Sequence, residues 1–258
     1  MALKKKVALV IGGTGIIGRT ICQKLAREKA EVVIAFHSDE IKAMETLKLV
    51  EEFSSGSLYQ CDVCNWDSIT QLIDFCNDAY GKIDIFVYAT GGPLLPENGL
   101  PENNELLKKN IDLSYTGFYN CIQQVLPLMR RQNYGRIIAL GSAGADSIQA
   151  SAWIAWQSAK TALTKLVKST SVVEITNGIT MNLVNPSVVL PDIYFSAEEE
   201  QLIEMAFPEA VREKIRLIIP AKRFAKAEEV ADAVVFFADE KSGYITGNVL
   251  NVSGGMGI

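Results

Sequence analysis

Short apolar runs recur along this chain, and each is followed by a longer segment with helical periodicity. The runs fall at 7–11, 32–36, 58–61, 85–89, 136–140, 180–184 and 249–252. They are continuously apolar rather than alternating, the pattern of strands buried on both faces. Helical segments are expected near 16–28, 40–53, 66–80, 104–129, 154–174 and 228–238. Regular alternation of strand and helix leaves one economical architecture, a parallel sheet covered by helices on both sides.

The expected class is therefore α/β, a Rossmann-like doubly wound parallel sheet of about seven strands. A chain of 258 residues suits one domain of this kind. No internal repeat, low-complexity segment or interdomain linker interrupts the pattern, so residues 1–258 are read as a single dinucleotide-binding domain. Two stretches break the rhythm. Residues 91–103 are rich in Pro, Gly and Asn, and residues 186–223 form a long excursion with a small amphipathic helix around 197–207. Both follow strands. Ligands of open parallel sheets bind beyond the carboxyl ends of strands, so these stretches are expected to wall a pocket, the second as a lid insertion near 187–222. Ordinary surface loops are the alternative. Leu202, Ile203, Met205 and Phe207 of the lid hint at a hydrophobic pocket, unless they are simply core. Glu198-Glu199-Glu200 reads as the first turn of the small helix, where carboxylates suit the dipole.

Composition removes several function classes. With 25 basic against 30 acidic residues and no block of like charge, nothing marks a nucleic-acid surface. Lys4-Lys5-Lys6 reads as the solvated start of the first strand. No run reaches the ~18 apolar residues of a membrane span, and 7–11 is too short for a signal-peptide core. Five cysteines, an odd number scattered through the chain, fit reduced thiols in a cytoplasmic protein. Cys61-x-x-Cys64 has the spacing of a redox or zinc pair, but no second Cys/His pair accompanies it, so no metal is expected. His37 is the only histidine, which leaves little room for a Ser-His-Asp constellation.

The first strand runs into Gly12-Gly13-Thr14-Gly15-Ile16-Ile17-Gly18 and then a helix. One glycine of such a turn permits the sharp bend, one lets backbone approach a pyrophosphate, and one allows close helix–sheet packing. The helix N-terminus supplies free N–H groups and a favourable dipole. In this strand–turn–helix context the spacing predicts nucleotide binding by Gly12, Thr14, Gly15, Ile17 and Gly18. The second strand ends in Ala35-Phe36-His37-Ser38. An NAD site usually carries an acid there for the ribose hydroxyls; here Phe36 holds that place, and His37 and Ser38 can receive a 2′-phosphate. This favours NADP(H), with NAD(H) the alternative if Asp39 is the acid displaced along the chain.

Several landmarks in order resemble the short-chain dehydrogenase/reductase family over essentially the whole chain. They are the glycine turn, with Ile16 where glycine is common; Cys61-Asp62-Val63; Val87-Tyr88-Ala89-Thr90-Gly91; Gly135 to Ser142; Trp156-Gln157-Ser158-Ala159-Lys160; Asn185-Pro186-Ser187; and Tyr244 to Gly247 with Val252 to Gly255. The resemblance implies that Asp62 and Val63 contact the adenine. It places Ala89, Thr90 and Gly91 along the cofactor, with Pro186 and Val189 beside the nicotinamide and Lys160 on the ribose. It also implies that Ser142 hydrogen-bonds the substrate oxygen, that Ser114 occupies the place of a relay asparagine, and that the catalytic tyrosine is replaced by Trp156. An indole N–H donates a hydrogen bond but is no acid or base near neutral pH, whereas general acid catalysis needs a matched pKa. Trp156 is left to stack on substrate, shape the pocket or serve as a core aromatic. Tyr88 or bound water is the favoured substitute proton carrier; Tyr194 and Lys160 itself are further candidates.

The resemblance thus implies an NADP(H)-dependent oxidoreductase acting on a carbonyl, alcohol or conjugated enone of a small, partly apolar substrate. A scaffold that has lost hydride transfer, now a dehydratase, isomerase, cyclase or NADP(H)-sensing protein, is the rival. It implies further a homotetramer or dimer formed through the helices at 104–129 and 154–174.

Overall fold

The computed structural model describes residues 3–93, 100, 104–145, 153–190 and 197–257, with only the backbone of 197–199, 202 and 206. Seven parallel strands form one sheet: β1 (Val7–Ile11), β2 (Glu31–Phe36), β3 (Gly56–Gln60), β4 (Ile85–Tyr88), β5 (Gly135–Leu140), β6 (Ile179–Pro186) and β7 (Val249–Val252). Their spatial order is β3-β2-β1-β4-β5-β6-β7. The doubly wound class expected from the sequence is what the chain adopts. Ile11 pairs with Ala35 on one side and Tyr88 on the other, so β1, β2 and β4 end level. The chain reverses direction across the sheet between β1 and β4, the switch point where open α/β sheets leave a crevice.

The helices are α1 (Ile16–Arg27), α2 (Glu40–Glu51), α3 (Trp66–Tyr80), α4 (Glu105–Ile111), α5 (Gly117–Gln132), α6 (Ile154–Glu174), α7 (Ala197–Ala206), α8 (Glu209–Ile218) and α9 (Ala227–Ala238). Every residue of β1, β4, β5 and β6 is buried. Strand side chains alternate between faces, and β4 shows it plainly. Phe86 and Tyr88 join the core beneath α3 and α5, while Ile85 and Val87 join the core beneath α1 and α9. The edge strands depart from the expectation of two buried faces: β3 is only half-buried and Leu250 of β7 is 37% exposed. An edge strand has a neighbour on one side only, so its short apolar run reflects partial cover.

Two further departures concern helices. The segment expected as one helix at 104–129 is α4 and α5 joined by a π turn, Asp112–Thr116. Such turns are rare and cluster at functional sites. The excursion after β6 carries two helices rather than one. The unexpected one, α8, follows Pro208, has Glu209 in its first turn and Arg216 in its last, and buries Ile215. A proline ahead of an acidic first turn and a basic last turn is an ordinary start-and-stop signature.

Candidate active site

The end of β1, the turn after it and the start of α1 form a ridge with a cleft on either side. Gly12 sits at φ +76°, a left-handed conformation that favours glycine, and a Cβ there would lie 3.0 Å from the Thr90 nitrogen. A Cβ on Gly18 would lie 2.1 Å from the Gly12 carbonyl oxygen, so α1 packs directly on the turn. The start of α1 differs from that of α2 and α3. Asp39 caps α2 by accepting from the Lys42 nitrogen, and Asn65 caps α3 by accepting from the Ser68 nitrogen. Gly15 offers α1 no side-chain cap, and no acid occupies its first turn. The leading N–H groups of α1 thus face the ridge with no capping side chain from Gly15 and no acid in the first turn, as an anion site requires.

One cleft, of about 570 Å³, lies over the ends of β1, β2 and β3. Gly12, His37, Asp62, Val63 and Thr90 line it, so the structure brings these expected cofactor residues together. Asp62 accepts from the Cys64 nitrogen at 2.9 Å, while its own N–H donates to the Ser68 hydroxyl at 3.0 Å. Ser38 is exposed and lies off this cleft's wall. The alternative acid, Asp39, is committed to capping α2 and pairs with the Lys42 ammonium at 3.4 Å. Lys108 and Lys109 reach the same cleft from α4, two cations that sequence reasoning passed over. Thr14 is half-buried in the turn and lines neither cleft.

The other cleft, of about 320 Å³, lies beyond the ends of β4, β5 and β6. Gly15, Ile17, Gly18, Ala89, Thr90, Gly91, Ser142, Trp156, Lys160, Pro186 and Val189 line it together. Trp153, Gln157, Ser187, Phe207 and Met256 line it too; Gln157 and Ser187 belong to the motifs quoted from the sequence and Phe207 to the expected lid, whereas Trp153 and Met256 had no part in the sequence reading. The Ser187 hydroxyl oxygen is buried on this wall with no hydrogen-bond partner among the described residues. Of the other lid residues, Ile203 is half-buried and Met205 is 77% exposed. The side chain of Leu202 and all of Tyr194 lie outside the described residues.

Lys160 is 2% exposed. Its ammonium donates to the Leu140 carbonyl at 2.8 Å and to the Thr90 carbonyl at 3.5 Å, and lies 4.9 Å from the centroid of the Trp156 ring. Burial without a counter-charge lowers its pKa to about 8. Ser114, buried in the π turn, lies behind Gly91 rather than in the cleft. A Cβ on Gly91 would sit 3.0 Å from the Lys160 Nζ and 3.3 Å from the Ser114 Oγ. The Ser114 hydroxyl accepts from the Gly92 nitrogen at 3.4 Å, so its visible work is to hold this loop.

Tyr88 is the clear correction. Its ring packs against Phe118 in the core, its hydroxyl donates to the Leu113 carbonyl, and it is fully buried away from both clefts. Burial drives its phenol well above the usual tyrosine range. The strand continues through Tyr88, so the side chain points into the helix layer instead of over the strand end.

Residues 14–257 match the family model described as "Enoyl-(Acyl carrier protein) reductase". The chain belongs to the short-chain dehydrogenase/reductase family. The 3-oxoacyl-[acyl-carrier-protein] reductase FabG of Staphylococcus epidermidis is 31% identical to this family member, over 97% of this chain and 98% of its own length. The acetoacetyl-CoA reductase of Allochromatium vinosum is 28% identical with the same coverage. Among solved structures, NAD+-bound xylitol dehydrogenase superposes on this short-chain dehydrogenase/reductase with a TM-score of 0.87 at 22% identity, over 99% of this chain and 100% of that one. Levodione reductase does so with a TM-score of 0.85 at 21% identity, over 98% of each. These two likenesses carry the fold. No described helix is long and apolar enough to cross a membrane.

Proposed function

We propose that this protein is an NADP(H)-dependent oxidoreductase that interconverts a carbonyl and an alcohol, or reduces a conjugated enone, in a small, partly apolar substrate. The observation that carries the reading is the uncapped start of α1 behind a glycine ridge, with Ser142 and Lys160 in the adjoining cleft. The turn fits a pyrophosphate: Gly12 and Gly18 let turn, Thr90 and α1 pack directly on one another, and exposed Gly15 at the helix start puts no side chain into the cleft. When bound, a nicotinamide dinucleotide supplies or takes the hydride. Gly12, Asp62 and Val63 would hold its adenosine end, and Ala89, Thr90, Pro186 and Val189 its nicotinamide end. Ser142 would orient the substrate oxygen. The relatives named for 3-oxoacyl and acetoacetyl-CoA reduction make a β-ketoacyl thioester a reasonable first probe.

NADP(H) is preferred over NAD(H) in this reading because Asp39 is occupied in capping α2, while Lys108 and Lys109 bring two cations to an adenosine-side cleft that His37, Asp62, Glu105 and Asp112 also line. Reduced-nicotinamide fluorescence is expected to show NADPH binding at least about tenfold more tightly than NADH, a difference near 1.4 kcal/mol. Equal affinities would remove the assignment of the 2′-phosphate to this cleft.

Trp156 favours a second reading, in which hydride transfer has been lost and the scaffold performs a non-redox reaction or senses NADP(H). The two separate on one variant. Trp156→Tyr places a phenol beside the Lys160 ammonium, and general acid catalysis is worth roughly 10²–10⁴-fold. The variant is expected to reduce acetoacetyl-CoA at least about tenfold faster than the parent. Tight NADPH binding with no turnover in either protein would favour the second reading. The lid at 187–222, and assembly into a tetramer or dimer through the segments 104–129 (α4 and α5) and 154–174 (α6), belong to the same proposal.

A further inference from the structure

Carbonyl reduction needs a proton as well as a hydride, and the described residues of the cleft include few proton sources. Among the described residues lining it, Lys160 alone has an ionising side chain. The hydroxyls of Ser142 and Ser187, the amide of Gln157 and the indoles of Trp153 and Trp156 donate hydrogen bonds but keep their protons near neutral pH. Tyr88 is sealed in the core, and His37 lines the other cleft. We propose that the Lys160 side chain is itself the proton carrier, its ammonium giving a proton to the substrate oxygen in reduction and its amine recovering one in oxidation. This rests on the oxidoreductase reading above.

The geometry supports a direct role. Two backbone carbonyls, Leu140 and Thr90, take two of the three N–H bonds of the ammonium. Lys160 lines the cleft beside Ser142. The described residues placed around the group present neutral atoms: Leu140 and Ser142 at the end of β5, Thr90 and Gly91 after β4, Ser114 from the π turn, and Trp156 and Gln157 from α6. With no carboxylate beside it among the described residues, the ammonium is held there by carbonyl dipoles and the Trp156 face. Its pKa of about 8 then lies close to working pH, where an acid both carries its proton and gives it up readily. As the carbonyl carbon gains hydride, the π electron pair of the C=O bond moves to oxygen. That oxygen bonds to a proton from Nζ, the N–H electron pair stays on nitrogen, and the neutral amine takes a proton from water as the alcohol leaves.

The test reads the amine itself before any turnover. Trace acetylation with acetic anhydride across pH, followed by peptide mass spectrometry, gives a titration midpoint for each lysine. Lys160 is expected near pH 8, with surface lysines near about 10.4. NADPH binding by fluorescence, run beside it, tests the oxidoreductase reading independently. In acetoacetyl-CoA reduction, kcat should fall on the alkaline side near the same midpoint. Lys160→Arg should lower kcat about 100-fold or more and erase that limb, because guanidinium does not deprotonate in this range. A Lys160 midpoint above pH 10, or an alkaline limb that persists in Lys160→Arg, overturns the proposal while NADPH binding stands. Absence of NADPH binding overturns the oxidoreductase reading and this proposal with it.

Discussion

Gly18→Ala is expected to weaken NADPH binding by about 100-fold or more, close to 3 kcal/mol, and to lower the melting temperature. A Cβ at this position meets only backbone: the Gly12 oxygen at 2.1 Å, the Gly12 carbonyl carbon at 2.9 Å and the Gly13 Cα at 3.1 Å. No rotamer change relieves that overlap. Either α1 lifts from the turn or the turn opens, and both displace the N–H groups read here as the phosphate cradle. Overpacking of a rigid contact costs about 1–3 kcal/mol of stability. Gly15→Ala is the matched control. Its nearest neighbour would be the Gly12 oxygen at 3.6 Å, an ordinary contact, and its φ of -71° suits any residue. That variant should melt close to the parent and lose affinity alone, since Gly15 lines the cleft. Parental NADPH affinity in Gly18→Ala would mean that the turn does not hold phosphate.

Lys160→Met should make the protein more stable at pH 7 while removing its activity. Burial lowers the Lys160 pKa from 10.5 to about 8, so the folded chain carries a charge it holds at a cost. That displacement corresponds to about 3 kcal/mol at a pH below both values. Losing the hydrogen bonds to the Leu140 and Thr90 carbonyls offsets part of it, leaving an expected gain of about 1–3 kcal/mol. Between pH 8 and 10.5 the unfolded lysine binds more protons than the folded one, so parental stability climbs relative to the variant as pH rises through that window. Above it both forms are neutral and the advantage of methionine disappears. Urea melts of the two proteins at pH 7 and pH 10 measure the difference; a gap of constant size would mean that Lys160 is not a buried charge. Stability yielding to function in this way is common where a site needs a group the fold would rather exclude.

The parts of the molecule legible in its sequence are those dictated by local chemistry. A buried five-residue strand running into a glycine turn has few other uses, and Ser142, Trp156 and Lys160 share a cleft because β5 and α6 carry them there. What escaped depends on phase and on distant neighbours. Tyr88 is a matter of phase. As the last residue of β4 it follows the strand's alternation into the core with Phe86, whereas a residue just past the strand end would face the crevice. Lys108 and Lys109 look like any solvated pair until α4 is seen to cross the adenosine side. The Ser187 hydroxyl, buried with no partner among the described residues, has no sequence signature, because burial is a property of what surrounds it.

The π turn at Asp112–Thr116 also acts as a gear between two helices that share one rod of backbone. Each residue of an α-helix advances about 100° around its axis, and a π turn fits an extra residue into one turn, resetting that count. Upstream of it, Lys108 and Lys109 are clocked toward the adenosine-side cleft; downstream, Phe118, Cys121 and Val125 are clocked into the core. One continuous rod can therefore offer cations to the ligand side before the turn and apolar side chains to the core after it.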